Sequence, residues 1–404
     1  MHVPMSSPDI AEAEINAVTE VLGTQWLSMG PRLAMFEEAF ARYVGAKHAV
    51  GVNSGTSGLH LAMRAAGIER GAEVITSSFS FIASANCVLY EGGTPVFVDI
   101  DPLTGNVAPA AVEAAITERT RALIVIHVFG QPADMDPLFR IVRQHNLWLI
   151  EDACEAVGAE YKGRRAGTMS HAAVFAFYPN KQMTTGEGGM IVTDNAAWAD
   201  LFCSLRNQGR DVFDGWLNHT RLGYNYRLDE MSAALGLVQL QRIDELLAKR
   251  TQVASWYNER IDAIPGVEKP YIAETTTRMS WFVYVIRCVG GINRNRLMTF
   301  LAGQEVPSRP YFTPIHLQPF YRDQFGWKPG DLPNTEKAGD TFLALPFSSV
   351  MTEPQVDYVC QQLAAGVCQQ LDEAIVRYWA INTPRYVEGR ANVAVPERQT
   401  YATQ

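Results

Sequence analysis

RALIVIHVFGQPADMDPLFRIVRQHNLWLIEDA, residues 121–153, reads as strand, helix, strand. Its two ends, 121–128 and 147–153, are short runs apolar on both faces, as strands buried within a mainly parallel sheet must be. Between them, Asp134 is a good N-cap, and Met135, Leu138, Ile141 and Val142 recur at helical spacing. The same alternation extends outward to residues 48–195. Further strands are expected at 48–52, 73–76, 94–100, 172–177 and 190–193, with a second amphipathic helix at 56–66. This pattern predicts a doubly wound α/β domain that takes ligands at the carboxyl ends of its strands.

Beyond that core, LDEMSAALGLVQLQRIDELLAK (228–249) reads as one long helix leading out of the large domain. Residues 255–380 read as an α+β unit, with a strand within 279–289 and a helix over 354–379. A first helix is expected from Ser7-Pro8 to about Leu22, packed with this second unit. The expected division is therefore 22–250 for the large domain, with 1–21 and 251–383 as the small one. A polar tail, 384–404, follows.

The 404 residues are 47% apolar and 19% charged, an ordinary globular balance. A net charge of −9 without a basic block argues against nucleic acid or an anionic membrane as partner. A phosphate-bearing ligand must then be held by local backbone donors and a few chosen cations. No run reaches the roughly 18 apolar residues of a membrane helix, and the N-terminus lacks a signal pattern. Six scattered cysteines without a C-x-x-C pair predict no metal site or disulfide framework and suit a reducing cytoplasm.

Three segments carry chemistry. In NSGTSGLHLAMRAAG (53–67) a strand enters a Gly-Thr-Ser-Gly turn and then a helix. The free N–H groups of a helix's first turn, with its dipole, form a small-phosphate cradle. Thr56 and Ser57 add hydroxyls, although a simple capped helix start fits equally well. In IEDACEAVGA (150–159), Asp152 stands at a strand's carboxyl end, where it needs a cationic partner or serves as a helix cap. A pyridinium nitrogen would be such a partner. Glu155 would lie near Asp152 if the chain turns helical. In FAFYPNKQMTTGEGGMIVT (175–193), Lys181 lies between two strands among aromatic residues. Such a lysine is usually a solvated loop charge, but burial would favour the neutral amine that Schiff-base chemistry needs.

The order of these pieces matters: a phosphate cradle, an aromatic segment SFSFIAS (78–84), a strand-end Asp, then a lysine 29 residues later. On these motifs the chain resembles the nucleotide-sugar aminotransferases of the DegT/DnrJ type, which are fold-type I enzymes dependent on pyridoxal 5'-phosphate. The resemblance covers roughly residues 5–380. It implies that Lys181 is the Schiff-base lysine and proton carrier, that Asp152 pairs with the pyridine nitrogen, and that Phe81 stacks on the ring. Gly55, Thr56 and Ser57 would contact the phosphate. Glu155 stands where many members have Gln or His near the ring hydroxyl. Segment 223–227, which contains Tyr224 and Asn225, would reach the neighbouring subunit's site, with Asn225 on its phosphate. A homodimer with composite sites follows from the resemblance. RPYFTPIHLQPFY (309–321) is similar to a substrate-facing stretch, which makes His316 a candidate for sugar or nucleotide contact; Tyr224, in segment 223–227, is a second candidate. One departure is Ala176, where many members have a phosphate-binding Ser.

The implied reaction moves an amino group from glutamate, by way of pyridoxamine 5'-phosphate, to a nucleotide-linked keto sugar. The Asn-Lys…Thr-Thr-Gly-Glu-Gly-Gly pattern resembles the branch that aminates C4 of 4-keto-6-deoxy sugars. A 3-keto sugar or a keto-cyclitol as acceptor, and a dehydratase or lyase reaction, stay open. So do a non-catalytic relative and a nucleotide-binding protein without this cofactor, although no G-x-G-x-x-G or Walker motif follows the first strand.

Overall fold

A computed structural model describes residues 1–210 and 218–382, with side chains to residue 374; the expected polar tail lies outside the described residues. The chain opens with helices α1 (Glu12–Leu22) and α2 (Pro31–Val44), strand β1 (His48–Val52) and helix α3 (Gly55–Ala65). It continues through β2 (Glu73–Ser77), α4 (Ala83–Tyr90), β3 (Thr94–Val98), α5 (Pro109–Ala114), β4 (Thr120–Ile126), α6 (Met135–Gln144) and β5 (Trp148–Asp152). The short strands β6 (Glu160–Tyr161) and β7 (Arg164–Arg165) precede β8 (Ala172–Ala176), β9 (Gly189–Thr193) and α7 (Ala196–Arg206). Every strand expected between residues 48 and 195 is present, shifted by a few residues at most.

The large sheet has the order β1-β9-β8-β5-β4-β2-β3. Strands β3, β2, β4, β5 and β8 run parallel, whereas β9 is antiparallel to both β8 and β1. That reversal puts the end of β1, the end of β8 and the start of β9 at the same edge as the end of β5. The three chemistry-bearing segments therefore meet there. Both faces are covered, as the doubly apolar strands require. On one face α2 places Leu33, Phe36, Phe40 and Val44 against Phe175 and Phe177. Burying each of those phenylalanines contributes about 1.5–3 kcal/mol.

Three expectations change. Asp134 precedes α6 but does not cap it with its side chain; its Oδ1 instead accepts the Tyr161 hydroxyl at 2.6 Å. The long helix expected at 228–249 is two, α8 (Glu230–Gln241) and α9 (Ile243–Ile261), with the break at Arg242. The expected domain boundary at residue 250 thus falls inside α9. Helix α1 starts at Glu12, not Ser7, and packs on α8 of the large unit. The fully buried Glu14 accepts from Gln239 at 2.8 Å and from Arg242 at 2.7 Å. Only the stretch before α1 reaches the second unit, where Val3 is buried and the Met5 carbonyl accepts from the Phe347 amide.

The second unit contains β10 (Val267–Glu268), β11 (Thr276–Arg278), β12 (Tyr284–Cys288), α10 (Arg294–Gly303), α11 (Pro319–Phe325), α12 (Pro333–Thr341), β13 (Phe342–Leu345) and α13 (Glu353–Asn382). Strands β10, β12 and β13 form a small sheet, while β11 pairs with β6 of the large unit. Helices α9, α10 and α13 supply Tyr257, Leu297, Val356 and Leu363 to its core. Among the described residues, no helix is long and apolar enough to cross a membrane.

Candidate active site

A cavity of about 550 Å³ opens at the carboxyl edge of the large sheet and is closed on its far side by the second unit. That is the size range of small-molecule sites. Ser54, Gly55, Thr56, Phe81, Asp152, Glu155 and Lys181 line it, together with Cys154, Ala176, Tyr178, Asn180, Phe282 and Tyr311. Residues from four separate strand ends are thereby brought together, as the sequence predicts for most of them.

The cradle is built by close backbone approach. Ser54 is the N-cap of α3, its hydroxyl accepting from the Ser57 amide at 3.1 Å. A Cβ on Gly55 would stand 2.8 Å from both Ala176 Cβ and Cys154 Sγ. A Cβ on Gly189 would stand 2.7 Å from the Ser54 carbonyl carbon and 2.9 Å from the Gly55 amide. The Gly-rich turn after Lys181 therefore lies directly on the cradle, and the two motifs require glycine for each other. Ser57 is placed differently from expectation. It is buried, its hydroxyl donates to Asn53 at 2.6 Å, and it does not line the cavity. Ser54 takes its place in the wall.

Asp152 ends β5 and is buried. No helix follows it, so it caps none; residues 153–158 form turns, and its Oδ1 accepts the Cys154 amide at 3.2 Å. Burial pushes its carboxyl above the usual range, against the lowering effects of Cys154 and Lys181. Glu155 enters the site through this turn, its Oε2 accepting the Phe129 amide at 2.9 Å. Burial raises it to about 7 despite the opposing charge of Lys181. The Lys181 ammonium stands 3.9 Å from Glu155 Oε1 and 3.7 Å from the centre of the Phe282 ring, with 13% of its side chain exposed. It is not a solvated loop charge. Phe81, by contrast, is 64% exposed with its ring at the cavity rim, the position from which it can cover a flat ligand.

His316 does not reach the cavity. It is fully buried, Nδ1 2.7 Å from the Ser78 hydroxyl and Nε2 3.2 Å from Glu336. It ties the turn Ile315–Leu317 to the end of β2, and burial lowers its imidazole pKa. The contacts that segment 309–321 does supply are Tyr311, its phenol pushed up to about 12 by burial, and Phe312. Tyr224 stacks on Tyr226 at 5.0 Å and donates to Glu91 at 3.2 Å, while Asn225 is exposed and bridged through its backbone to Asn207. Neither lines the cavity of its own chain. Asn180, Tyr178 and Phe282 are lining residues that the sequence reading does not single out. The first two stand beside Lys181, a signal that could have found them, whereas an aromatic in an apolar strand-like run carries no sign of facing a ligand.

The donor set suits pyridoxal phosphate. A short anion cradle lies at one end, and a buried carboxylate whose hydrogen bonds come from Cys154 alone stands ready for a ring cation. An amine lies within the cavity, and an aromatic at the rim can stack. Asn180 Oδ1, buried without a hydrogen-bond partner among the described residues, adds an acceptor at the cavity wall.

These features define a cofactor-dependent group-transfer site, and comparison with known proteins gives the class. The model of the DegT/DnrJ/EryC1/StrS aminotransferase family matches residues 8–364. GDP-perosamine synthase of Caulobacter vibrioides is 41% identical over 365 residues, covering 89% of this chain and 97% of that protein. The spore coat polysaccharide biosynthesis protein SpsC of Bacillus subtilis is 38% identical over 372 residues, covering 89% and 95%. Of solved structures, DesV of S. venezuelae superposes with a TM-score of 0.85 at 35% identity, covering 91% of this chain and 98% of that one. The putative sugar aminotransferase Spr1654 of Streptococcus pneumoniae, in its PMP form, gives 0.89 at 26% identity, covering 93% and 100%. The chain belongs to the DegT/DnrJ/EryC1/StrS aminotransferase family. It is a pyridoxal-phosphate-dependent sugar aminotransferase.

Proposed function

We propose that this enzyme transfers the amino group of glutamate to C4 of a nucleotide-linked 4-keto-6-deoxyhexose, acting as a cytoplasmic homodimer. The observation that carries the proposal is the convergence of Lys181, Asp152 and Glu155 on one cavity, in a chain 41% identical to a GDP-perosamine synthase. The bound cofactor supplies an electron sink for the carbon that loses or gains a proton. Lys181 holds and moves that proton, from a position fixed between Glu155 and Phe282. Asp152 keeps the ring nitrogen charged by presenting a carboxylate in a water-poor setting. Gly55 and Thr56 anchor the phosphate through the first turn of α3, with Ser54 replacing Ser57 in this role and Ala176 contributing shape only. Phe81 covers the ring, and Tyr311 faces the sugar.

The dimer reading rests on where side chains are left uncovered. Leu22, Trp26, Leu27, Met29 and Met35 are each at least 40% exposed, and Leu222, beside Tyr224 and Asn225, is 72% exposed. A second copy of the chain would cover such apolar surface and bring Asn225 to its cavity.

The purified protein is to be assayed with glutamate and a panel of dTDP-, GDP- and UDP-linked 4-keto- and 3-keto-6-deoxy sugars, with mass spectrometry and NMR of the product. Amination at C4 of one of them is expected. Amination at C3, or none from any member of the panel, would overturn the assignment. Light scattering that shows a monomer at working concentration would remove the dimer.

A further inference from the structure

Arg250, on α9, carries a guanidinium that is 2% exposed and has no carboxylate partner among the described residues. Burial alone pulls its pKa down to about 10. An unpaired buried charge is costly, so its placement calls for a reason. All its hydrogen bonds go to backbone carbonyls, in two pairs. Nη1 donates to Trp281 and Phe282, each at 3.1 Å. Nη2 donates to Lys181 at 2.6 Å and Asn180 at 3.3 Å. A planar fork matches such paired acceptors, which a lysine ammonium cannot do.

The two pairs belong to opposite walls of the site. Asn180 and Lys181 follow β8 of the large unit, and Trp281 and Phe282 lead into β12 of the second. Lys181 and Phe282, whose carbonyls share this guanidinium, also face each other by their side chains at 3.7 Å. Trp281 holds a left-handed backbone, φ 52°, which a bulky residue keeps only where its surroundings over-determine it. A second tie runs alongside: Gln182 Nε2 donates to the Glu155 carbonyl at 2.6 Å and to the Ser280 hydroxyl at 2.9 Å.

We infer that Arg250 is the positioning residue for Lys181. It fixes the amine against its aromatic wall by gripping both backbones at once, and it touches neither the sugar nor the cofactor. The inference rests on Lys181 being the reacting amine. The titratable groups that share the cavity with this amine are Glu155, Asp152, Cys154, Tyr178, Glu187 and Tyr311; Arg250 acts from behind it.

The test compares R250M and R250K holoenzymes with the wild type. In R250M, kcat falls at least about tenfold, the order expected when a reacting group is displaced by a fraction of an ångström, while KM for glutamate stays within about twofold. The pH midpoint of the visible cofactor band also moves, a change that loss of stability by itself would not produce. R250K, whose ammonium reaches one carbonyl pair at a time, falls between. A folded variant of either kind with wild-type kcat and midpoint overturns the inference. If R250M does not fold, R250K decides; if neither folds, Arg250 is a requirement of the fold and the assignment is withdrawn. K181A, run in parallel, separates the two ideas. A cofactor band that survives in K181A removes the Lys181 reading, whereas its loss beside unmoved Arg250 variants removes only this inference.

Discussion

Glu151 and Asp152 are neighbours on β5, and their surroundings drive them in opposite directions. Successive side chains on a strand point to opposite faces. Glu151 faces the layer beneath α6 and is completely enclosed. Its oxygens accept from His127 at 2.8 Å and from the amides of Gly167 at 2.7 Å and Met169 at 2.9 Å. Burial raises its pKa, but these bonds outweigh that effect and hold it below the usual range. Asp152 faces the cavity, bonded through its carboxylate only to the amide and side chain of Cys154, and there burial prevails. Equal burial therefore does not mean equal role. The carboxylate whose bonding is complete serves the fold, and the one left incomplete serves a ligand.

The largest expected effect extends the comparison to the amine. Lys181→Ala should lower transamination by about 10²–10⁴-fold or more and abolish the visible cofactor band, with the fold retained; turnover and absorbance measure this. Next comes the pair itself. Asp152→Asn should cost on the order of 10²-fold in kcat, since the ring nitrogen loses its counter-charge, with little loss of thermal stability. Glu151→Gln should reverse that balance. It places an amide donor against the Gly167 or Met169 N–H and costs about 1–3 kcal/mol of stability, with activity largely kept in the folded fraction. Equal stability losses in the two variants would break the comparison.

Acid unfolding sharpens it further. The depressed pKa of Glu151 means that its contribution is complete above the ordinary carboxylate range and is lost as pH falls through its lower folded value. Glu155 has the opposite sign. Its folded pKa, about 7, lies above the unfolded one, so its ionisation removes stability progressively as pH rises to about 7. Glu155→Gln should stabilise the cofactor-free protein at pH 8, by no more than about 3 kcal/mol, and should leave it unchanged near pH 4. Denaturant melts at both pH values check this. The smallest effect on catalysis is expected from His316→Gln, which should lower the melting temperature while leaving KM for the sugar unchanged, as befits a residue of the Glu151 kind.

Much of this arrangement was legible in the sequence because it is local. The strands and their doubly apolar faces, the cradle at 53–57, and the lysine beside its Gly-rich turn each occupy a few consecutive residues. Two kinds of feature were not legible. The first is orientation within a correctly placed segment. Ser57 turns inward because Ser54 and Asn53 engage it, and His316 is buried while Tyr311, five residues earlier, faces the cavity. The second is contact between distant segments. Arg250 lies 69 residues from Lys181, and nothing in the helical spacing of α9 marks a guanidinium that will grip two loops. The break at Arg242 was hidden because apolar positions run on through both α8 and α9.

The cavity wall built by Phe282 and Tyr311 also bears on synthesis. The amine and its carboxylates are complete once residue 193 has closed the sheet, yet the residues that enclose them arrive some ninety to one hundred and twenty positions later. At a ribosomal pace of about 5–20 residues per second, several seconds separate the synthesis of this lysine from that of its cover. The order of the chain thus supplies the reacting groups of the site before the wall that encloses them.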